Sequence, residues 1–133
     1  KTFAENKMDY WHDIEDAPND GPFNIQISYR YSDERLEDLY PDDTPEQIKE
    51  QYDSLEKHNS SLFDVRISYI YNNDLILSDT YLHSLHYDEF PEDAIMKGLD
   101  GEIEMMMVEG KEEAIKKAKN LLDSLQKYFE EQS

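Results

Sequence analysis

The sequence predicts an α+β fold: an antiparallel sheet of about four strands, helices on one face, and a long C-terminal helix. Three observations predict it. Two nine-residue segments share an alternation of apolar and polar side chains, strict in the first. A Thr-Pro-Glu-Gln helix start precedes a short apolar stripe. The last twenty residues carry an unbroken helical stripe.

Taken in order, residues 1–22 are mostly polar, with Tyr10 and Trp11 as a large apolar pair, and Asp16 to Pro22 reads as a turn. The expectation is a loosely held N-terminal arm over 1–22, anchored by Trp11, followed by a single domain over 23–133. Phe23, Ile25, Ile27, Tyr29 and Tyr31 alternate with Asn24, Gln26, Ser28 and Arg30, the pattern of a half-buried strand. The pattern recurs at Phe63 to Tyr71, and both copies read F-x-[IV]-x-I-S-Y-x-Y. Asp42-Asp43-Thr44-Pro45-Glu46 is echoed by Asp88-Glu89-Phe90-Pro91-Glu92, which suggests a duplicated strand–strand–helix unit.

In the first copy Thr44 caps, Pro45 takes the first helical position and Gln47 completes a capping box. Ile48, Tyr52 and Leu55 form the stripe that follows. The return strand near Leu36 to Tyr40 is weak, and Leu36 and Leu39 are as helical as extended. In the second copy Tyr71-Asn72-Asn73-Asp74 is a hairpin turn, and Leu75 to Leu82 supplies the return strand. Residues 102–109 read as helix or strand, with helix favoured because Met and Glu form helices better. The run Met105-Met106-Met107-Val108 reads as core beneath the sheet, with an adaptable binding surface as the alternative. Ala114, Ile115, Ala118, Leu121, Leu122, Leu125, Tyr128 and Phe129 complete the C-terminal helical stripe.

The 133 residues contain no Cys, which excludes disulfides, thiolate nucleophiles and Cys-based metal sites. No apolar run approaches the ~20 residues of a membrane span, and no signal segment is visible, so the expected location is the cytoplasm, a host cell's if the chain is phage-encoded. There is no P-loop, G-x-G-x-x-G or G-x-S-x-G, and no motif calls for a cofactor. His83 and His86 would need one side of the chain to hold a metal, and a strand places residues three apart on opposite faces. Asp16 to Asp20 fails as a calcium loop, with Pro18 at a ligand position. The 32 acids single out no general-acid pair.

The net charge is −19, and its distribution is uneven. Residues 1–60 carry 16 acids and 6 bases, residues 61–110 carry 11 and 2, and residues 111–133 carry 5 of each. The densest acidic stretch holds Asp33, Glu34, Glu37, Asp38, Asp42, Asp43 and Glu46; a second group is Asp88, Glu89, Glu92 and Asp93. Tyr31, Tyr40, Tyr87 and Phe90 sit beside them as candidate apolar anchors. Duplication would place the two groups in equivalent positions, between the last strand and the helix of each copy, at one end of the sheet.

A compact domain of this mass exposes about 7,300 Å², so the average is one net charge per roughly 390 Å², against roughly 100 Å² for duplex DNA. Imitation of nucleic acid therefore requires the charge to gather on part of the surface. Nucleic acid and anionic membranes should both repel the chain. The leading expectation is a non-catalytic binding protein whose acidic residues occupy the basic groove of a nuclease or other nucleic-acid-binding protein. In charge and size this is similar to small acidic inhibitors of restriction and CRISPR machinery and to immunity proteins against nuclease toxins. A metal-dependent hydrolase using surface carboxylates, a structural or assembly protein, and an acidic protein whose charge serves solubility alone are the other readings.

Overall fold

The computed structural model describes residues 10–14 and 19–132. Its elements in chain order are β1 (His12–Asp13), β2 (Asn19–Asp20), β3 (Phe23–Tyr31), α1 (Leu36–Leu39), α2 (Pro45–Glu56), β4 (Ser61–Tyr71), β5 (Leu75–Tyr87), α3 (Pro91–Met96), a 3₁₀ turn (Leu99–Gly101) and α4 (Glu102–Glu131). All pairing is antiparallel, in the order β1-β3-β4-β5, with β2 also on β3. The α+β fold and the long C-terminal helix stand as expected. The segment read as an arm contributes β1 and β2 to the sheet, while residues 1–9 and 15–18 lie outside the described residues.

The two repeated segments are cross-strand partners. Ile27 opposes Ile67 at the centre, Phe23 opposes Tyr71, and Tyr31 opposes Phe63. An antiparallel pair of like sequences is self-complementary, so each strand presents the same alternation to the other. The repeat extends to the Pro-started helices but not to a return strand. In the first copy Leu36–Leu39 takes the helical option, and β1 and β2 cover the outer edge of β3 instead.

One face of the sheet is the main core. Ile25, Ile27, Tyr29, Phe63, Val65, Ile67 and Tyr69 lie beneath Ala94 and Ile95 of α3 and Met106 and Ala114 of α4. Residues 102–109 are helical, and the methionine run splits by helical period: Met106 is buried and Met105 is exposed. Gly110 is the point of closest approach, where an added Cβ would meet Tyr69 at 3.0 Å. Two hydrogen bonds pin the helix there, from the Tyr69 hydroxyl to the Met107 carbonyl at 3.0 Å and from Ser78 Oγ to the Gly110 carbonyl at 2.7 Å.

Helices on one face describes α3 and α4; the pair α1–α2 sits elsewhere. Leu36, Ile48 and Leu62 form a separate small core. Leu62 precedes the core residue Phe63, so the pleat turns it to the opposite face, at one end of the sheet. Thr44 caps α2 as expected: its Oγ1 accepts from the Gln47 amide, and Gln47 Oε1 accepts from the Thr44 amide at 2.8 Å. The hairpin turn also forms, with Asn72 and Asn73 both at positive φ. Among the described residues no helix is long and apolar enough to cross a membrane.

Candidate acidic interface at one end of the sheet

The two acidic groups reach the same end of the sheet, through strand direction. β3 ends at Tyr31, opposite the start of β4, and β5 ends at Tyr87, opposite Ser61. The second repeat strand runs away from this end, and the thirteen-residue β5 carries the chain back. The groups meet at one end as expected, but not through equivalent units: the first follows β3 directly, with no return strand, and the second follows the return strand β5.

Asp33 and Glu34 lie in the link after β3, Glu37 and Asp38 in α1, Tyr40, Asp42 and Asp43 between α1 and α2, and Glu46 in the first turn of α2. Tyr87 closes β5, Asp88 and Glu89 follow it, and Glu92 and Asp93 occupy the first turn of α3. Contacts tie the groups to this end. Ser84 Oγ donates to Glu34 at 3.0 Å, and the Tyr29 hydroxyl donates to Glu92 at 3.3 Å. Asp43 and Asp88 line one cleft with Glu50, Gln51 and His86. Glu92 and Asp93 line another with Tyr29, Tyr31 and Phe90.

Among the described residues, two of these eleven acids form ion pairs, Glu37 with Arg35 at 3.0 Å and Glu89 with Lys97 at 2.6 Å. The hydroxyl of Tyr52 holds the Glu37 carboxyl below its usual range, with Arg35 adding to the effect. Burial, then the neighbouring Tyr31 and Glu92, pushes Tyr29 up to about 12. Burial and Glu92 also raise Tyr31, and burial followed by the bond to Asp100 raises Tyr87.

The aromatic neighbours divide. Phe90 is 54% exposed. Tyr87 is half-buried, with its hydroxyl on Asp100 at 3.1 Å. Tyr40 is half-buried too, its hydroxyl 3.0 Å from His86 Nδ1, while Ser60 Oγ lies 3.3 Å from His86 Nε2. That arrangement makes His86 a brace between α1 and the start of β4.

The histidine geometry corrects the strand argument. β5 gains one residue relative to β4 between Phe63 and Val65, with Ser84 at φ 57. This bulge resets the alternation, so His83 and His86 share the face opposite the main core. His83 Nδ1 lies 3.7 Å from Asp64, and His86 is braced as above. Among the described residues no group of three or more His, Asp or Glu side chains is placed to hold a metal ion.

The same open face carries a constellation that the sequence did not announce. Trp11 packs against the guanidinium groups of both Arg30 and Arg66, at 4.6 and 4.5 Å from its ring centre. The buried carboxylate of Asp64 accepts from Arg30 Nε at 3.0 Å and from the Ser84 amide at 2.8 Å. Arg30 and Arg66 are thus engaged in the fold and do not oppose the acids at the sheet end. The alternation signalled that Arg30 and Arg66 share a face; nothing local signalled the tryptophan packed on them.

No protein-family model, curated protein or solved structure matches this chain. The class defined by the fold and this surface is an acidic α+β protein with eleven of its 32 acidic residues at one end of a five-strand sheet and five of its ten lysines on the terminal helix.

Proposed function

We propose that this chain is a non-catalytic binding protein whose acidic sheet end enters a basic groove of a partner protein, in place of nucleic acid. The observation that carries the reading is the convergence of the groups at 33–46 and 88–93 on one end, with nine of eleven acids free of a cation among the described residues. The whole surface is 9327 Å², or one net charge per about 490 Å², too dilute to imitate a polyanion as an average. Concentration at one end meets that objection. Phe90, exposed among the acids, supplies an apolar anchor. The partner class is a nuclease or another DNA- or RNA-handling protein, the target of inhibitors that counter restriction or CRISPR systems.

The test is capture of partners from the source lysate, with competition by duplex DNA and RNA. The expected partner is basic, is released by salt, and gives up its nucleic acid when this chain binds. Opposite potentials speed association and lose strength with ionic strength. Asp42→Asn, Asp43→Asn, Glu92→Gln and Asp93→Gln together should weaken binding at least tenfold. A partner that holds through high salt, or that ignores these four changes, contradicts the reading.

A further inference from the structure

We propose that the second half of α4 is a self-association surface, on which a second copy of this chain packs antiparallel. This surface is separate from the acidic end. Leu121, Leu122, Leu125 and Tyr128 are 45, 56, 44 and 55% exposed, although they continue the stripe that Met106 and Ala114 bury upstream. The helix of 30 residues is about 45 Å long, and only its first half lies over the sheet core. Beyond Ala118 the stripe forms one wall of an apolar groove, and Phe23, Tyr71 and Leu75 form the other. Those residues mark the end of the sheet opposite Tyr31 and Tyr87.

Charge selects the occupant. A body with a net charge of −19 repels its own copies everywhere except at a neutral patch, and residues 111–133 are neutral. Within them the sign reverses along the axis. Residues 111–119 hold four lysines against two acids, and residues 120–133 hold three acids against Lys127. Parallel packing would set like against like. With Leu122 of each copy opposite Leu125 of the other, antiparallel packing brings Lys117 level with Glu130 and Lys116 level with Glu131. None of these four is ion-paired within the chain among the described residues. The pairing is isologous, so it closes at two copies.

Area and spacing agree with this. The exposed apolar stripe and the groove wall beside it offer on the order of 500 Å² per copy, or ~1,000 Å² for the pair, the lower edge of a specific interface. The acidic ends stay remote, since nine residues of β3 span roughly 30 Å and charges are screened beyond about 8 Å at physiological salt.

Sedimentation equilibrium of the purified chain, from about 1 µM to about 1 mM, reads the result directly. A concentration-dependent dimer is expected. Leu122→Lys, on the exposed half of the helix, should keep the far-ultraviolet spectrum and raise the dissociation constant at least tenfold. Lys116→Glu with Lys117→Glu should weaken the dimer, and adding Glu130→Lys with Glu131→Lys should restore it. These residues stand about 14 positions apart, too far to pair within one helix, so restoration reports contact between copies. A wild-type chain that stays monomeric throughout overturns the proposal, as does a dimer that the charge swap fails to restore.

Discussion

Gly110 passes so close over the ring of Tyr69 that a methyl group in place of its hydrogen would sit 3.0 Å from Cε1 and 3.1 Å from Cδ1. Tyr69 cannot give way easily, because it is buried and its hydroxyl is bound to the Met107 carbonyl. Gly110→Ala gains about 1 kcal/mol of helix propensity but overpacks the contact at a cost of about 1–3 kcal/mol. The expected outcome is a net loss of about 1 kcal/mol by urea unfolding, and a larger loss for Gly110→Val. An alanine variant more stable than the parent would mean that the helix lifts off the sheet at no cost.

Asp64 holds the bulge of β5. Its carboxylate takes the Ser84 amide and the Arg30 guanidinium at once. Asp64→Ala leaves a half-buried guanidinium and a half-buried amide without that partner, and should cost about 2–4 kcal/mol. Asp64→Asn can still accept from Ser84 and should cost less. Unfolding midpoints in urea for both variants check the order.

Tyr29 gives the fold an alkaline limit. In the unfolded chain its hydroxyl ionises near 10.0, whereas in the fold burial and the neighbouring Tyr31 and Glu92 raise it to about 12. The folded state therefore binds the proton more tightly. The stability this contributes is complete below pH 10 and is lost as the pH rises through 12. Tyr29→Phe should flatten the decline in urea midpoint between pH 9 and 11.5, measured beside the parent.

Trp11 is the sole tryptophan, and it reports on its contacts with Arg30 and Arg66. Each face contact is worth about 0.5–2 kcal/mol. Trp11→Ala should therefore destabilise by about 1–3 kcal/mol, counting lost apolar contact. Arg66→Met should shift tryptophan emission to longer wavelength if solvent replaces the guanidinium. Unchanged emission would place the indole's packing elsewhere.

What could be read in the residues was whatever has a local period or a local cap. The alternation from Phe23 to Tyr31, the box of Thr44 and Gln47, the paired asparagines at 72–73 and the stripe of α4 each record their own structure. β1 and β2 are two residues each, too short for any period to show. The bulge at Ser84 has no glycine to mark it, so the side of the sheet that His86 takes was misread. The acidic residues were visible as a composition; their meeting at one end depended on the length and direction of β5, a property of pairing and not of any local pattern.

The return of β5 also makes the molecule electrically lopsided. Carboxylates crowd one end of the sheet while the second half of α4, at the other, is neutral, so the chain carries a permanent dipole as well as a net charge. A field from a cationic groove would pull the protein and also turn it, before contact, so that the acidic end leads. Fewer collisions are then wasted on the wrong orientation, and the advantage should fade as added salt shortens the range of the field.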